Sequence, residues 1–200
     1  MSVPLFDRPF FFMRHGESAA NAAERIAGST ESPLTARGHE QARGAAARLA
    51  GLGITAIYTS PQSRALETAR PLAERLGLAL QVVPDIRERH WGTLELEPLS
   101  AITDRAMTAP EGESLAAFEA RTWAALRAIA GPEPALVVAH SGTMRVLRAR
   151  LGLGDIRDWI GNAEPVRFEP PTAPGAAWRL TTLAGRPAET AHTPFPGGRS

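Results

Sequence analysis

Three short stretches of this chain carry side chains that could hold and transfer an anion. Arg14-His15-Gly16 follows the apolar run Phe10 to Met13, Ser60-Pro61 and then Arg64 follow the run at 55–59, and His140-Ser141-Gly142 follows the run at 135–139. A guanidinium is a planar fork that grips phosphate or carboxylate in bidentate fashion. An imidazole near neutral pH serves as nucleophile or base. Alone, Arg64 reads as a solvated helix residue and His140 as a satisfied core histidine. Together, two arginines and two histidines describe a phosphate pocket, provided the fold brings them to one place.

The elements around these stretches supply that provision. Strands are expected at 10–14, 55–59, 78–83 and 135–139, and two more at 164–169 and 176–183 around a Pro-rich turn. Thr35 can cap a helix to about Leu49, with Ala42, Ala46 and Leu49 as its apolar stripe. Ser60-Pro61 reads as the start of a second helix, with Ala65, Ala69, Leu72 and Leu76 inward and Gly77 as its stop. Ser114 opens a third helix, with Leu115, Phe118, Thr122, Leu126 and Ile129 inward, and a fourth runs from about Thr143 to Leu151. Strands alternating with helices predict an α/β three-layer sandwich, a mainly parallel central sheet with helices on both faces. In such a sheet the carboxyl ends of the strands share one edge, where ligands bind. Helix N-termini at that edge add free amides and a favourable dipole. Residues 16–34 read as a long loop, and a loop of that length in a compact domain is usually functional. Residues 1–9 read as a leader of uncertain order, 84–112 as irregular with one short helix near 98–106, and 184–200 as a loosely held tail. One domain over 1–200, with its core at about 10–183, accounts for the pattern.

Composition narrows the chemistry. There is no cysteine, which excludes thiolate nucleophiles, disulfides and Cys-ligated metals. All 22 basic residues are arginine, so Schiff-base lysines and the P-loop lysine are excluded as well. We attribute the absence of lysine itself to base composition. A net charge of +1 gives no bulk signal for nucleic acid. No apolar run approaches the ~20 residues of a membrane span, and no signal peptide is recognisable. A cytoplasmic protein is expected.

The ordered motifs closely resemble the histidine phosphatase superfamily, also called the phosphoglycerate mutase-like family, over roughly 10–183. Arg14-His15-Gly16 is followed by Glu17-Ser18 and Asn21. A second pattern appears as Gly28, Pro33, Leu34, Thr35, Gly38, Gln41 and Ala42, and a third as Ser60, Pro61, Arg64, Ala65, Thr68 and Ala69. Glu88, Gly92 and Glu95 form a fourth, and Gly112-Glu113-Ser114 and His140-Ser141-Gly142 complete the series.

The resemblance implies roles. His15 would attack phosphorus and carry the phosphoryl group. Its other ring nitrogen would be held by backbone, fixing the tautomer. Arg14, Arg64 and His140 would bind the non-bridging oxygens, with Asn21 and Ser141 as further phosphate or substrate contacts. Glu88 would protonate the leaving alkoxide and then take a proton from the attacking water; Glu95, Asp85 and Glu17 are the alternative carboxylates. No metal and no cofactor is implied. His90 reads as a substrate contact or a solvated loop residue, Trp91 as packing or as the rim of the pocket, and His39 and His192 as exposed and idle. Ala19, Ala20, Leu96 and Ser141 depart from common family residues and border the substrate cavity. The expected activity is a phosphomonoester hydrolase, a histidine acid-type phosphatase, acting on a small phosphorylated metabolite. The alternatives are a phosphoglycerate mutase primed by 2,3-bisphosphoglycerate, a catalytically idle phospho-ligand-binding domain, and a phosphatase acting on a phosphoprotein such as phosphohistidine. The short link between Gly92 and Gly112 favours the phosphatase over the mutase. No nucleic-acid or membrane partner is expected. No stripe defines an oligomer, and a dimer through a sheet edge or an exposed helix stays open.

Overall fold

The computed structural model describes residues 2–154, 160–173 and 175–183. Its strands are β1 (Val3–Pro4), β2 (Phe10–Arg14), β3 (Ala56–Thr59), β4 (Leu80–Val82), β5 (Ala130–Gly131), β6 (Ala135–Ala139), β7 (Pro165–Glu169) and β8 (Arg179–Thr182). Its helices are α1 (Ala19–Ala22), α2 (Ala36–Leu49), α3 (Ser63–Leu76), α4 (Leu115–Ala128) and α5 (Ser141–Arg150). Six strands form one sheet in the order β4-β3-β6-β2-β7-β8. The first four are mutually parallel, and β7 and β8 extend the sheet antiparallel. Arg14 pairs with Ala139 across β2 and β6, and Thr59 pairs with Val138 across β3 and β6. The three chemistry-bearing strands therefore end side by side on one edge.

Strand alternation builds the three layers. Phe10 and Phe12 of β2, Tyr58 of β3 and Val137 of β6 pack with Leu126, Met144 and Leu147 of α4 and α5. Phe11, Met13, Ile57, Leu136 and Val138 point the other way, onto Ala45, Leu49, Ala65 and Leu72 of α2 and α3. β2 and β6 are buried on both faces, which explains their continuous apolar runs. Burying each large side chain contributes roughly 1.5–3 kcal/mol. Phe10 and Phe168 also stack at 4.8 Å.

Thr35 caps α2 as expected, its hydroxyl accepting from the Gly38 amide. Five boundaries differ from expectation. The leader is built into the fold, because β1 pairs with β5 and Leu5 is fully buried. The loop at 16–34 contains α1, closed by a capping box between Ser18 and Asn21. The helix expected near 98–106 is only a 3-10 turn at Leu99–Ala101. α5 begins at Ser141, two residues earlier than Thr143. α3 starts at Ser63 rather than at Ser60-Pro61, because the carboxylate of Glu31 reaches across and accepts from the Ser63 amide at 3.0 Å. Ser60 Oγ accepts instead from the amide of Gln62, the residue that precedes the helix, at 3.4 Å. The tail at 184–200, including His192, lies outside the described residues. Among the described residues, no helix is long and apolar enough to cross a membrane.

Candidate active site

His15 leaves β2 with its backbone still in the ladder, its amide donating to Ala139 O at 3.0 Å. The next residue must be small: a Cβ on Gly16 would lie 2.6 Å from the Gly38 carbonyl oxygen, where the loop crosses the start of α2. The Gly16 amide donates to Thr68 Oγ1 at 2.9 Å and the Glu17 amide to Gln41 Oε1 at 2.8 Å, which ties the loop to α3 and α2. His15 Nδ1 lies 2.7 Å from Gly16 O. A carbonyl only accepts, so Nδ1 carries the proton and Nε2 keeps its lone pair. Burial first, and then Arg14 and Arg64, push the His15 pKa well below the ordinary imidazole value. The ring is therefore neutral with a nucleophilic nitrogen available at neutral pH.

His140, at the end of β6, stands with its ring centroid 5.2 Å from that of His15. Its Nε2 lies 2.7 Å from Ser60 Oγ, which also accepts from the Gln62 amide at 3.4 Å. Burial, and next Arg64, His15 and Arg14, hold this ring neutral as well. The ring's other nitrogen, Nδ1, is buried, with no hydrogen-bond partner among the described residues.

The two guanidiniums flank the rings. Arg64 is 1% exposed and is held through Nη2 by Gly28 O at 2.7 Å and through Nη1 by Thr30 O at 3.0 Å. Its buried Nε has no such partner among the described residues. Arg14 is buried, and burial with Arg145 and Arg64 nearby lowers its pKa to about 10 against the opposing pull of Glu88. It remains charged at neutral pH. Arg14, His15, Arg64 and His140 are thus brought together as expected.

Glu88 sits at the N-terminus of α5. Its Oε2 accepts from the Gly142 amide at 3.1 Å and faces Ser141 Oγ at 3.4 Å, and its Oε1 accepts from the Arg89 amide at 2.9 Å. A Cβ on Gly142 would overlap Oε1 of Glu88, so the close approach requires glycine there. The other carboxylates are placed elsewhere. Glu95 accepts from Ser29 N at 2.7 Å, Ser29 Oγ at 2.8 Å, Trp91 N at 3.1 Å and Thr30 Oγ1. Burial pushes its carboxyl up, but those hydrogen bonds outweigh it and hold the group ionised as a loop clamp. Asp85 is exposed and paired with Arg87, and Glu17 accepts from Thr35 Oγ1 beside Arg37. Ser141 touches Glu88 rather than lying free. Asn21 uses its carbonyl oxygen on Ser18 N and on Asn162 Nδ2, which leaves its amide group as the donor face. His90 is exposed, 3.9 Å from Glu95, and Trp91 is buried under the Arg89 guanidinium at 4.3 Å. His39 is exposed and lies 3.8 Å from Glu67.

Several supporting residues escaped the sequence reading. Asn162 donates to His15 O at 3.0 Å, and Gln62 bridges Gly28 O at 3.0 Å to the Glu88 amide at 2.8 Å. Arg89 donates to the carbonyls of Glu113, Arg105 and Met107 at 3.0, 2.6 and 2.6 Å, fixing the segment between Trp91 and Glu113. Arg145 of α5 lies close enough to Arg14 to lower its pKa. The signal that could have found Gln62 and Arg89 is their position, directly after Ser60-Pro61 and directly after Glu88. Asn162 and Arg145 carry no such local signal.

Comparison with known proteins places the chain in a family. A model of the histidine phosphatase superfamily (branch 1) matches residues 10–163. A Yersinia enterocolitica protein named probable phosphoglycerate mutase GpmB is 36% identical over 158 residues, 70% of this chain and 73% of that protein. A solved mycobacterial glucosyl-3-phosphoglycerate phosphatase, complexed with VO3, matches with a TM-score of 0.71 at 27% identity, covering 86% of this chain and 97% of that one. The α-ribazole phosphatase of Shigella flexneri gives a TM-score of 0.75 at 22% identity, over 87% of this chain and 96% of that one, which shows a shared fold. With the motifs, the parallel strand ends and the paired histidines in place over the matched span, the chain belongs to the histidine phosphatase superfamily, branch 1.

Proposed function

We propose that the protein hydrolyses a small phosphomonoester through a phosphohistidine at His15. The observation that carries this reading is the Nδ1–H bond from His15 to Gly16 O, in a ring held neutral between two buried arginines. It leaves Nε2 as an unprotonated nucleophile in an anion-binding pocket. Nε2 attacks phosphorus and the ester P–O bond breaks. Arg14, Arg64 and His140 stabilise the charge on the three non-bridging oxygens. Glu88, whose carboxyl meets the start of α5 just after His140, gives its proton to the departing alkoxide. Water then gives a proton to Glu88 and attacks phosphorus, which restores His15 and releases inorganic phosphate. Support comes from the VO3 complex of the mycobacterial phosphatase, since vanadate is a phosphate-like oxyanion.

A mutase is the second reading, favoured by the name of the Yersinia relative. In that reaction the phosphoryl group returns from His15 to a bound phosphoglycerate. The link from Trp91 to Glu113 is short and pinned by Arg89 and Glu95, which supports the hydrolase. The test is steady-state hydrolysis of p-nitrophenyl phosphate by the wild-type protein and by His15→Ala, together with a screen of phosphorylated metabolites. We expect turnover that the substitution abolishes. Isomerisation of 3-phosphoglycerate that depends on 2,3-bisphosphoglycerate would overturn the hydrolase, and absence of turnover over a wide pH range would favour a binding module.

A further inference from the structure

The segment that delivers Glu88 has little structure of its own. After the 3-10 turn Pro84–Ile86, the backbone of 87–90 belongs to no helix or strand. Its carbonyls need partners, because a buried unpaired carbonyl is costly. One guanidinium, that of Arg121 in α4, serves three carbonyls along 85–88. Nη1 donates to Asp85 O at 2.8 Å and to Arg87 O at 3.0 Å, and Nη2 donates to Glu88 O at 3.2 Å. The fork is itself fixed by Glu113, which accepts from Nε at 2.6 Å and from Nη2 at 2.7 Å. Both side chains are largely buried, at 14% and 16% exposure, so the pair is shielded from the screening that weakens surface ion pairs. The guanidinium carbon also lies 5.0 Å over the Phe118 ring, whose edge abuts Gly142, the donor to the Glu88 carboxylate. Glu113 closes the circle, its amide donating to His90 O at 2.9 Å.

We infer that the Arg121–Glu113 pair is the positioning device that aims the Glu88 carboxyl at the leaving-group oxygen. This rests on Glu88 being the proton donor. Arg121 reaches no reacting atom in this scheme; it acts through the backbone of 85–88. Lysine cannot replace it, because a compact ammonium lacks the planar fork that holds a carboxylate and three carbonyls together. The carboxylate of Glu113 is equally specific, since an amide in its place would present one acceptor oxygen where the fork needs two.

A shift of the acid costs rate in proportion to the leaving group's need for a proton. The experiment measures kcat/KM on p-nitrophenyl, phenyl and alkyl phosphates for the full-length wild type, Arg121→Lys, Glu113→Gln, Glu88→Gln and the double variant Glu88→Gln/Arg121→Lys. General acid catalysis contributes typically ~10²–10⁴-fold, so Glu88→Gln is expected to lose about that factor on alkyl phosphates and far less on p-nitrophenyl phosphate. Arg121→Lys and Glu113→Gln are expected to lose about 10–100-fold on alkyl phosphates and under about threefold on p-nitrophenyl phosphate, a partial version of the same pattern. The double variant is expected to be no slower than Glu88→Gln alone, because the two residues act as one unit. Losses equal across all leaving groups in both Arg121→Lys and Glu113→Gln, with Glu88→Gln still steeply dependent, would overturn the positioning role and leave the acid assignment intact. Additive losses in the double variant would overturn it too. A flat leaving-group profile in Glu88→Gln would overturn the acid assignment itself.

Discussion

Lowering the pH from 7 towards 5 should destabilise this fold. The cause lies in the two buried imidazoles. Burial, with Arg14 and Arg64 close by, depresses the pKa of both His15 and His140 well below the ordinary value. In the unfolded chain each ring takes up a proton near pH ~6.5. The unfolded state therefore binds more protons than the folded one in the window below that value. The stability that these rings confer is complete above about pH 6.5, declines as the pH falls, and levels off only at their depressed folded pKa values. Each ring alters stability by up to about 1.4 kcal/mol per pH unit. Between pH 7 and pH 5 the integrated loss is about 2 kcal/mol per ring, or about 4 kcal/mol for the two, if both stay neutral in the fold. That is a large share of the ~5–15 kcal/mol that keeps a typical protein folded. The assay is urea unfolding at constant ionic strength from pH 7.5 to 5.0, on the wild type and on His15→Gln/His140→Gln. The wild type should lose about 4 kcal/mol more over pH 7 to 5 than the double variant. Parallel curves for the two proteins would refute the placement of both rings as buried and neutral.

Two further substitutions separate the carboxylates. Gly142→Ala puts a Cβ into Glu88 Oε1 and 2.7 Å from Phe118 Cζ, so the carboxyl must move off its amide. Activity on phenyl phosphate should fall by about 10²-fold, while thermal melting should change little, because alanine in the first helical turn offsets part of the crowding by ~0.5–1 kcal/mol. Unchanged turnover of phenyl phosphate would show that Glu88 does not need this approach. Glu95→Gln removes an acceptor from Thr30 in the clamp that joins 28–30 to Trp91. Urea unfolding should show a loss of about 1–3 kcal/mol, and kcat/KM should drop equally for good and poor leaving groups. A steep leaving-group dependence in this variant would make Glu95 the acid instead.

Much of the scaffold was legible in the sequence, for local reasons. Thr35 ahead of an Ala-rich run announces α2, and the unbroken apolar run of 135–139 announces a strand buried on both faces. The equal termination of β2, β3 and β6 in polar side chains pointed to one edge, which the parallel register confirms. What stayed illegible depends on partners far away in the chain. Ser60-Pro61 has the local form of a helix start, yet α3 begins at Ser63, whose amide donates to Glu31 from a loop 32 residues earlier, while Ser60 Oγ meets His140 Nε2. Glu88 and Glu95 are equivalent by local composition. They differ in which amides meet them: the start of α5 for Glu88, the 29–30 turn for Glu95. The leader is ordered because Leu5 and Arg8 bond to Ile129 O and Gly131 O, the stretch of chain that leaves α4 and forms β5. No local pattern in the leader could announce partners so distant in sequence.

The arginine-only composition takes on a different meaning in the folded chain. The absence of lysine does not explain where the arginines are. The loops that carry the candidate chemistry are irregular, and their carbonyls have no ladder to join. In each, a guanidinium from elsewhere does the joining: Arg64 holds Gly28 and Thr30, Arg89 holds Arg105, Met107 and Glu113, and Arg121 holds Asp85, Arg87 and Glu88. Five donors in a rigid plane let one side chain satisfy several carbonyls at set angles, which a single ammonium cannot do. Of these cations Arg64 acts on both histidines: burial first, and then Arg64 together with Arg14, lowers the pKa of His15 and of His140. Arg64 serves both ends at once, since two of its nitrogens hold the loop and its third is left buried beside the histidines. Loop architecture and the proposed anion binding therefore share one residue, and replacing Arg64 would disturb the backbone and the charge together.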